Sequence, residues 1–443
     1  MKKIYKYSTF FSVFLACIIF LSFKQLKNNN WNRCISSDGK GYYAYLPAFF
    51  IYQNTQFEFV DLYESKYYKS ENYVKFTNEI EGKNVNKYWM GTALLMSPFF
   101  LTAHSLAHVL NQTTDGYSFI YQMMVAIAAS FYLLLGLYYL RKLLLLLHFK
   151  EQVILIASFT IVFASNLFYY TVAEPSMSHV YSFSLICMFA YFAQSFFQTF
   201  ENKYFNYLII ALAIITLIRP TNILVILSLP FFSQNLNNFK TAFSSLKPKK
   251  IFSSIFVFFA LLSLQIIYYK LAVGSYFIYS YSNEHFNFLQ PHLYEFLFSY
   301  RRGLFLYAPI LLIASLGLVI LAKKSMYQSI TLFLFLGMII YVLSSWWMWY
   351  YGGGFGMRPM IDFFAFFAIL LSIIIQTVYK HQWPKQIMIV ILGCCIMLSQ
   401  IQTYQKVNFI LPWDGVNKDI YWKIFLKTNK DYIGKYKGEF NAQ

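Results

Sequence analysis

The sequence predicts an all-α polytopic membrane protein: a bundle of about eleven transmembrane helices with a large, structured first outer loop that carries interfacial helices. Three observations predict it. Of 443 residues, 58% are hydrophobic and only 12% charged, about half the charged share of a soluble domain, so most of the surface must face lipid. Apolar runs long enough to cross about 30 Å of hydrocarbon recur along the chain. The Lys and Arg residues behind the net charge of +18 come in short clusters between those runs. Clusters of that kind set topology; they do not form the stripe that binds nucleic acid, and no nucleic-acid partner is expected.

Taken in order, the first apolar run, Ser8 to Phe23 after Lys2-Lys3, reads as a retained helix, since no small-residue cleavage site follows it. A long outer loop, 24–116, comes next. The later spans are Tyr117 to Leu140, Val153 to Val172, Val180 to Phe200, Ile251 to Val273, Leu304 to Ala322, Ile330 to Trp347, Met360 to Tyr379 and Gln386 to Tyr404. The stretch Tyr204 to Phe232 is too long for one helix and is broken at Arg219-Pro220-Thr221-Asn222, which predicts two short helices meeting at Pro220. The basic clusters at Lys2 to Lys6, Arg141 to Lys150, Lys203, Lys240 to Lys250, Lys323-Lys324 and Lys380 to Lys385 then fall on one side, the cytoplasm, with the N-terminus. A bacterial inner membrane, with the site on its outer face, is the expected location. A full crossing by Gly91 to Leu110 would invert every later loop, so that run is expected to be amphipathic or re-entrant in the outer interface.

Residues 1–405 thus form one transmembrane domain, and 406–443 an outer-face tail that either folds as a small helix or ends in solvent. The five cysteines, Cys17, Cys34, Cys187, Cys394 and Cys395, have neither metal-like spacing nor the pattern of a disulfide framework. Most acids gather on the outer face, so the chemistry is expected there.

Several outer-face motifs stand in order. Asp38 lies in Ser36-Ser37-Asp38-Gly39-Lys40-Gly41-Tyr42-Tyr43, where an Asp-Gly turn is the plain alternative to a carboxylate held against the interface. Trp89-Met90-Gly91, Ala173-Glu174-Pro175 and Asn283-Glu284-His285-Phe286-Asn287-Phe288 follow, then Arg301-Arg302-Gly303 and Trp349-Tyr350-Tyr351-Gly352-Gly353-Gly354-Phe355-Gly356-Met357-Arg358-Pro359. In this order and sidedness the chain resembles the GT-C superfamily of integral-membrane glycosyltransferases, in particular the branch with protein O-mannosyltransferases and lipid A aminoarabinose transferases. The resemblance runs from about Met1 to Tyr404. It implies a polyprenyl-phosphate-linked sugar donor, a glycan, lipid or protein acceptor on the outer face, and inversion at the anomeric carbon. It also implies that Asp38 is the first-loop catalytic acid and Glu174 the second-loop acid. Glu284-His285 resembles a pair in the aminoarabinose branch, where an Arg usually stands in place of Asn287; Arg301 or Arg302 would supply that charge.

The residue types suit such chemistry. Transfer from a phosphate donor needs a base near the acceptor hydroxyl and positive charge at the departing phosphate. Asp38 would take the proton, and Arg219, Arg301, Arg302 and Arg358 are the candidates for the phosphate. Gly353 and Gly354 would let the backbone approach the donor, with Trp349 and Tyr42 as aromatic faces for the sugar. Glu284 and His285, with Glu174 and His179, would hold a divalent Mg, Mn or Zn ion; an outer-face hydrogen-bond network is the alternative. A polyprenyl-lipid or polysaccharide transporter without catalysis is the rival reading. The discriminating observation is whether Asp38 and Arg358 share one cavity.

Overall fold

The structure, a computed structural model, describes residues 13, 14, 16, 17, 30–68 and 75–438. The expected first span lies outside these residues but for four positions. The chain is an all-helical membrane protein. Among the described residues six helices are long and apolar enough to cross a bilayer: Phe119–Leu146, His179–Thr199, Pro248–Ala272, Met326–Ser344, Arg358–Val378 and Gln382–Val407. Four shorter apolar segments, Glu151–Phe163, Asn202–Ile218, Pro220–Ser233 and Pro309–Ala322, stand between them in the order the hydropathy predicts. His179–Thr199 and Arg358–Val378 form the centre, each with 83% of its apolar stretch buried, whereas Pro248–Ala272 has 17% buried and turns almost its whole circumference outward to lipid.

Several spans are interrupted, and each break has a local cause. Asn202–Ile218 ends at Arg219, which is extended, and Pro220 opens a 3₁₀ turn through Ser228 that continues as Leu229–Ser233. This is the hairpin expected at Pro220, whose ring cannot continue the incoming helix. The segment expected as one span over Leu304 to Ala322 is three pieces, Leu304–Tyr307, Pro309–Ser315 and Gly317–Ala322. Pro309 has no N–H to carry the ladder onward. The predicted span Val153 to Val172 likewise divides, into Glu151–Phe163 and Leu167–Val172. There the Asn166 side chain turns across to donate to the Phe355 carbonyl at 2.8 Å. Irregular backbone at such depth is tolerated because it is covered by protein, and residues 164–172 are buried throughout.

The basic loops collect at one end of the bundle. Lys150 N–H donates to the Gln376 side chain, Gln198 to the Leu146 carbonyl, Asn238 to the Phe197 carbonyl and Gln328 to the Phe231 carbonyl. The opposite end is capped by the first loop and the C-terminal segment. In the first loop Gly39–Pro47 packs on Gly91–Val109, which in turn packs on Phe119–Leu146. Gly91–Val109 lies along the first half of that span, with Tyr132 Oη donating to the Leu95 carbonyl and His104 hydrogen-bonded to Tyr121. It is not among the six spanning helices, in keeping with its expected interfacial placement. The loop also holds a two-stranded antiparallel hairpin, Thr77–Ile80 with Lys83–Asn86, turned at Glu81-Gly82 with both φ positive. The sequence reading does not anticipate it; its strands are short and polar, so their alternation is weak.

The tail is a folded part of the protein. Lys418–Ile424 is helical and capped by the Asn417 side chain, which accepts from Ile420 N–H at 2.9 Å. Ile410, Leu411, Val416, Ile420 and Ile424 are buried against the bundle. The buried Lys406 ammonium donates to the Pro412 and Trp413 carbonyls at 3.1 and 2.9 Å. Gln405 binds the Ile424 and Lys427 carbonyls, which closes the segment onto the helix it leaves.

Candidate active site

Asp38 does not sit in a positive-φ Asp-Gly turn; the left-handed residue is Ser37, with φ of 50°. Asp38 is the N-terminal flank of Gly39–Pro47, its carbonyl accepting from Gly41 and Tyr42 N–H at 3.0 and 3.2 Å. Its carboxylate leaves the helix uncapped and instead accepts from Arg358 Nη2 at 2.6 Å. Two small residues make this possible. A Cβ at Gly39 would collide with Ser176, and one at Gly41 with Tyr88, so only glycine lets this helix settle onto the 174–178 turn and Tyr88. Ser36 N–H donates to Ser176 Oγ at 3.3 Å, tying the first loop to the turn that bears Glu174.

Glu174 is half-buried and accepts from Tyr169 Oη at 2.8 Å. Burial raises its carboxyl above the usual value, against the Tyr169 hydrogen bond and the Lys406 and Arg358 charges, and the nearby Asp38 charge raises it further. Asp38 goes the other way. Burial pushes it up, but the Arg358 and Lys87 charges and hydrogen bonds from Tyr88 and Arg358 outweigh that and hold it below the usual range. Two carboxyls on neighbouring loops are thus held apart in acidity, an arrangement that suits one to remain ionised and the other to keep its proton more readily.

Asp38 and Arg358 lie on the wall of a cavity of about 430 Å³, at the end of the bundle opposite the basic loops. That volume falls in the range of about 300–1,000 Å³ typical of small-ligand sites. Tyr42, Tyr88, Trp89, Tyr281, Trp346 and Tyr351 give it aromatic walls. Its charged groups come as pairs: Asp38 with Arg358, Glu284 with Lys87 at 3.3 Å, and Arg219 with the buried Asp362 at 3.4 Å. Asp362 also accepts from Asn222 Nδ2 at 2.7 Å and lies 3.0 Å from His179 Nδ1.

Of the residues expected from sequence, Asp38, Tyr42, Arg219, Glu284 and Arg358 line this cavity, and Glu174 stands beside it on the adjoining turn. Arg301 and Arg302 do not line it. Arg301 holds Asp414 through two hydrogen bonds of 3.1 and 3.0 Å and stacks on Tyr350 with its guanidinium carbon 3.3 Å from the ring centre. Arg302, buried, donates to the Trp413 and Gly352 carbonyls. Both arginines are therefore engaged in fastening the tail. Gly353 and Gly354 are likewise taken up by packing: a Cβ at Gly353 would enter the Trp413 indole, and one at Gly354 would meet Tyr170 Oη at 2.6 Å. Their loop's amides are also spent internally, Gly354 N–H on the Trp413 carbonyl and Phe355 N–H on Tyr170 Oη. Trp349 packs at a tilt against His292 and edge-on against Tyr350, outside the cavity lining.

The metal expectation finds no ligand set. Among the described residues no three His, Cys, Asp or Glu side chains cluster as ligands. Glu284 is held by Lys87 and the Trp347 indole, His285 by the Asn283 carbonyl and His179 by Asp362.

Sequence reasoning passes over Lys87, Tyr88 and Asp362. Lys87 and Tyr88 immediately precede the Trp89-Met90-Gly91 motif. Asp362 carried a usable signal, since an acid inside an apolar span is costly and usually has a purpose.

No protein-family model matches this sequence, and no curated protein matches it. Among solved structures the chain is similar to the apo form of the Archaeoglobus fulgidus oligosaccharyltransferase, at 11% sequence identity and a TM-score of 0.49. The match covers 99% of this chain and 62% of that one, so the chain spans about three fifths of that protein's length.

Proposed function

We propose that this protein is a membrane glycosyltransferase of the GT-C kind, moving a sugar from a polyprenyl-phosphate donor to an acceptor hydroxyl at the outer face with inversion at the anomeric carbon. The observation that carries this reading is the meeting of Asp38 and Arg358, 320 positions apart, at 2.6 Å on the wall of an aromatic-lined cavity.

In the resting pair Asp38 is a weak base, because the guanidinium stabilises its charge. A donor phosphate competes for Arg358, with Lys87 as the second cation in reach of the cavity. Arg358 turning to the phosphate leaves Asp38 less stabilised and more basic, so arrival of the donor readies the base. The acceptor oxygen then attacks the anomeric carbon and loses its proton to Asp38. The carbon–oxygen bond to phosphate breaks with its electron pair going to the phosphate oxygen, whose charge Arg358 and Lys87 hold. The aromatic walls exclude water from the sugar and offer it faces to stack on.

The test is transfer by the purified full chain from a panel of polyprenyl-phosphate sugars, native against Asp38→Asn. Loss of the base is expected to lower transfer about 10²–10⁴-fold with the fold intact. Transfer at native rates by the Asn variant would refute the role given to Asp38.

A further inference from the structure

The cavity that holds the Asp38–Arg358 pair is also lined by a second polar group, from the first turn of His179–Thr199 and the Arg219-Pro220-Thr221 break, held by the buried Asp362. Asp362 is saturated. One carboxylate oxygen faces His179 Nδ1 at 3.0 Å, and the other accepts from Asn222 at 2.7 Å and lies 3.4 Å from Arg219. A carboxylate at Nδ1 holds the proton there, leaving the Nε2 lone pair as the free end of the ring. Yet Nε2 is buried with no hydrogen-bond partner, as is Thr221 Oγ1, and the buried Arg219 Nη1 makes no hydrogen bond and has only its 3.4 Å ion-pair contact with Asp362. All three residues line the cavity. Buried polar atoms are nearly always hydrogen-bonded, so three that are not, on residues lining one cavity, mark a place where something else supplies the hydrogen bonds.

The character of that partner follows from the charge count and the donor count. Asp362 already neutralises Arg219, so the group has no surplus positive charge with which to hold an anion. It offers an acceptor (Nε2), a donor (Nη1) and a group that is both (Thr221 Oγ1), which complements an alcohol: a hydroxyl donates once and accepts twice. We propose that His179, Arg219 and Thr221 form a hydroxyl-reading subsite for the transferred sugar, one that selects the donor by the position of a single hydroxyl. This rests on the glycosyl-transfer reading above, and it moves Arg219 from the phosphate to the sugar. A pocket built around a substrate hydroxyl rejects the analogue lacking it far more strongly than a hydrophobic pocket rejects a missing methylene, because its own polar groups are left buried and unpaired.

The experiment uses the full chain in lipid nanodiscs with polyprenyl-phosphate monosaccharides and their 2-, 3-, 4- and 6-deoxy derivatives. Transfer is measured in one arm. Equilibrium binding of each donor without acceptor is measured in the other, by fluorescence of Trp89 and Trp346 in the cavity wall. The native chain is expected to lose at least 100-fold in kcat/KM at one deoxy position. Thr221→Val, which removes no existing hydrogen bond, and His179→Gln are each expected to lower kcat/KM on the parent sugar about 10- to 100-fold. Both should also flatten the penalty at that same position to within about threefold. Transfer of the parent sugar with no deoxy penalty, or with a penalty the variants leave unchanged, overturns the subsite while leaving glycosyl transfer standing. Binding with the deoxy penalty but without transfer keeps the subsite and overturns the transfer reading. A chain that neither binds nor transfers any sugar of the panel overturns both.

Discussion

At the scale of single residues, the two acids flanking Arg358 make opposite predictions with pH. The Asp38 carboxyl sits below its ordinary 3.8, because the charges and hydrogen bonds around it more than offset its burial. In acid the folded chain therefore binds fewer protons there than the unfolded one, and the stabilisation present above 3.8 is lost as pH falls through the folded value. Glu174 sits above its ordinary 4.5, chiefly through burial. Its contribution is full below 4.5 and is lost as pH rises through its folded value. Thermal unfolding across pH is expected to show that Asp38→Asn removes part of the acid-side loss, whereas Glu174→Gln removes part of the loss on going to higher pH. At neutral pH Asp38→Asn should also cost about 1–3 kcal/mol, since Arg358 is left without its carboxylate. Identical pH profiles for Glu174→Gln and the native chain would show that Glu174 is not held away from its ordinary acidity.

At the scale of elements, the glycine loop and the tail act as one piece. Trp413 lies on Gly353, Arg302 binds the Trp413 and Gly352 carbonyls, and Arg301 grips Asp414. The same loop delivers Tyr351, Gly352 and Arg358 to the cavity. Gly353→Ala is therefore expected to push Trp413 off its seat at a cost of about 1–3 kcal/mol, the range for overpacking, and to lower transfer through Arg358. Gly352→Ala meets nothing nearer than the Met348 sulfur at 3.7 Å and carries only the strain of its φ of +67°, about 1–2 kcal/mol. Limited proteolysis of the tail separates them: faster cleavage of residues 409–435 in the Gly353 variant than in the Gly352 variant is the expected outcome, and equal rates would show that the contact does not hold the tail. This coupling was half legible in the sequence. Four glycines within five positions announce a close approach, but whether the visitor is a ligand or an indole 60 positions away depends on where the tail folds back.

At the scale of the whole molecule, the basic loops and the cavity lie at opposite ends of the bundle, and the positive-inside rule predicts a cavity that opens on the outer side. In a Cys394→Ser background, Lys435→Cys is expected to react with a membrane-impermeant maleimide in intact cells, and Lys249→Cys only after permeabilisation. The reverse labelling would move the cavity to the cytoplasmic side. The helix order and the hairpin at Pro220 follow from run length, proline chemistry and charge clustering. All are local properties of the chain, and all could be read directly.

What the sequence by itself determined is the solvent the protein folds in and the serial order of its helices, because lipid burial and helix breaking depend on neighbours along the chain. Which arginine serves the cavity was decided only in three dimensions. Arg219, Arg301, Arg302 and Arg358 are alike as letters, yet Arg301 and Arg302 are claimed by the tail, Arg219 by Asp362 and Arg358 by Asp38. A guanidinium is specified by the carboxylate within about 4 Å of it, and that neighbour is set by which helix ends meet across the bundle.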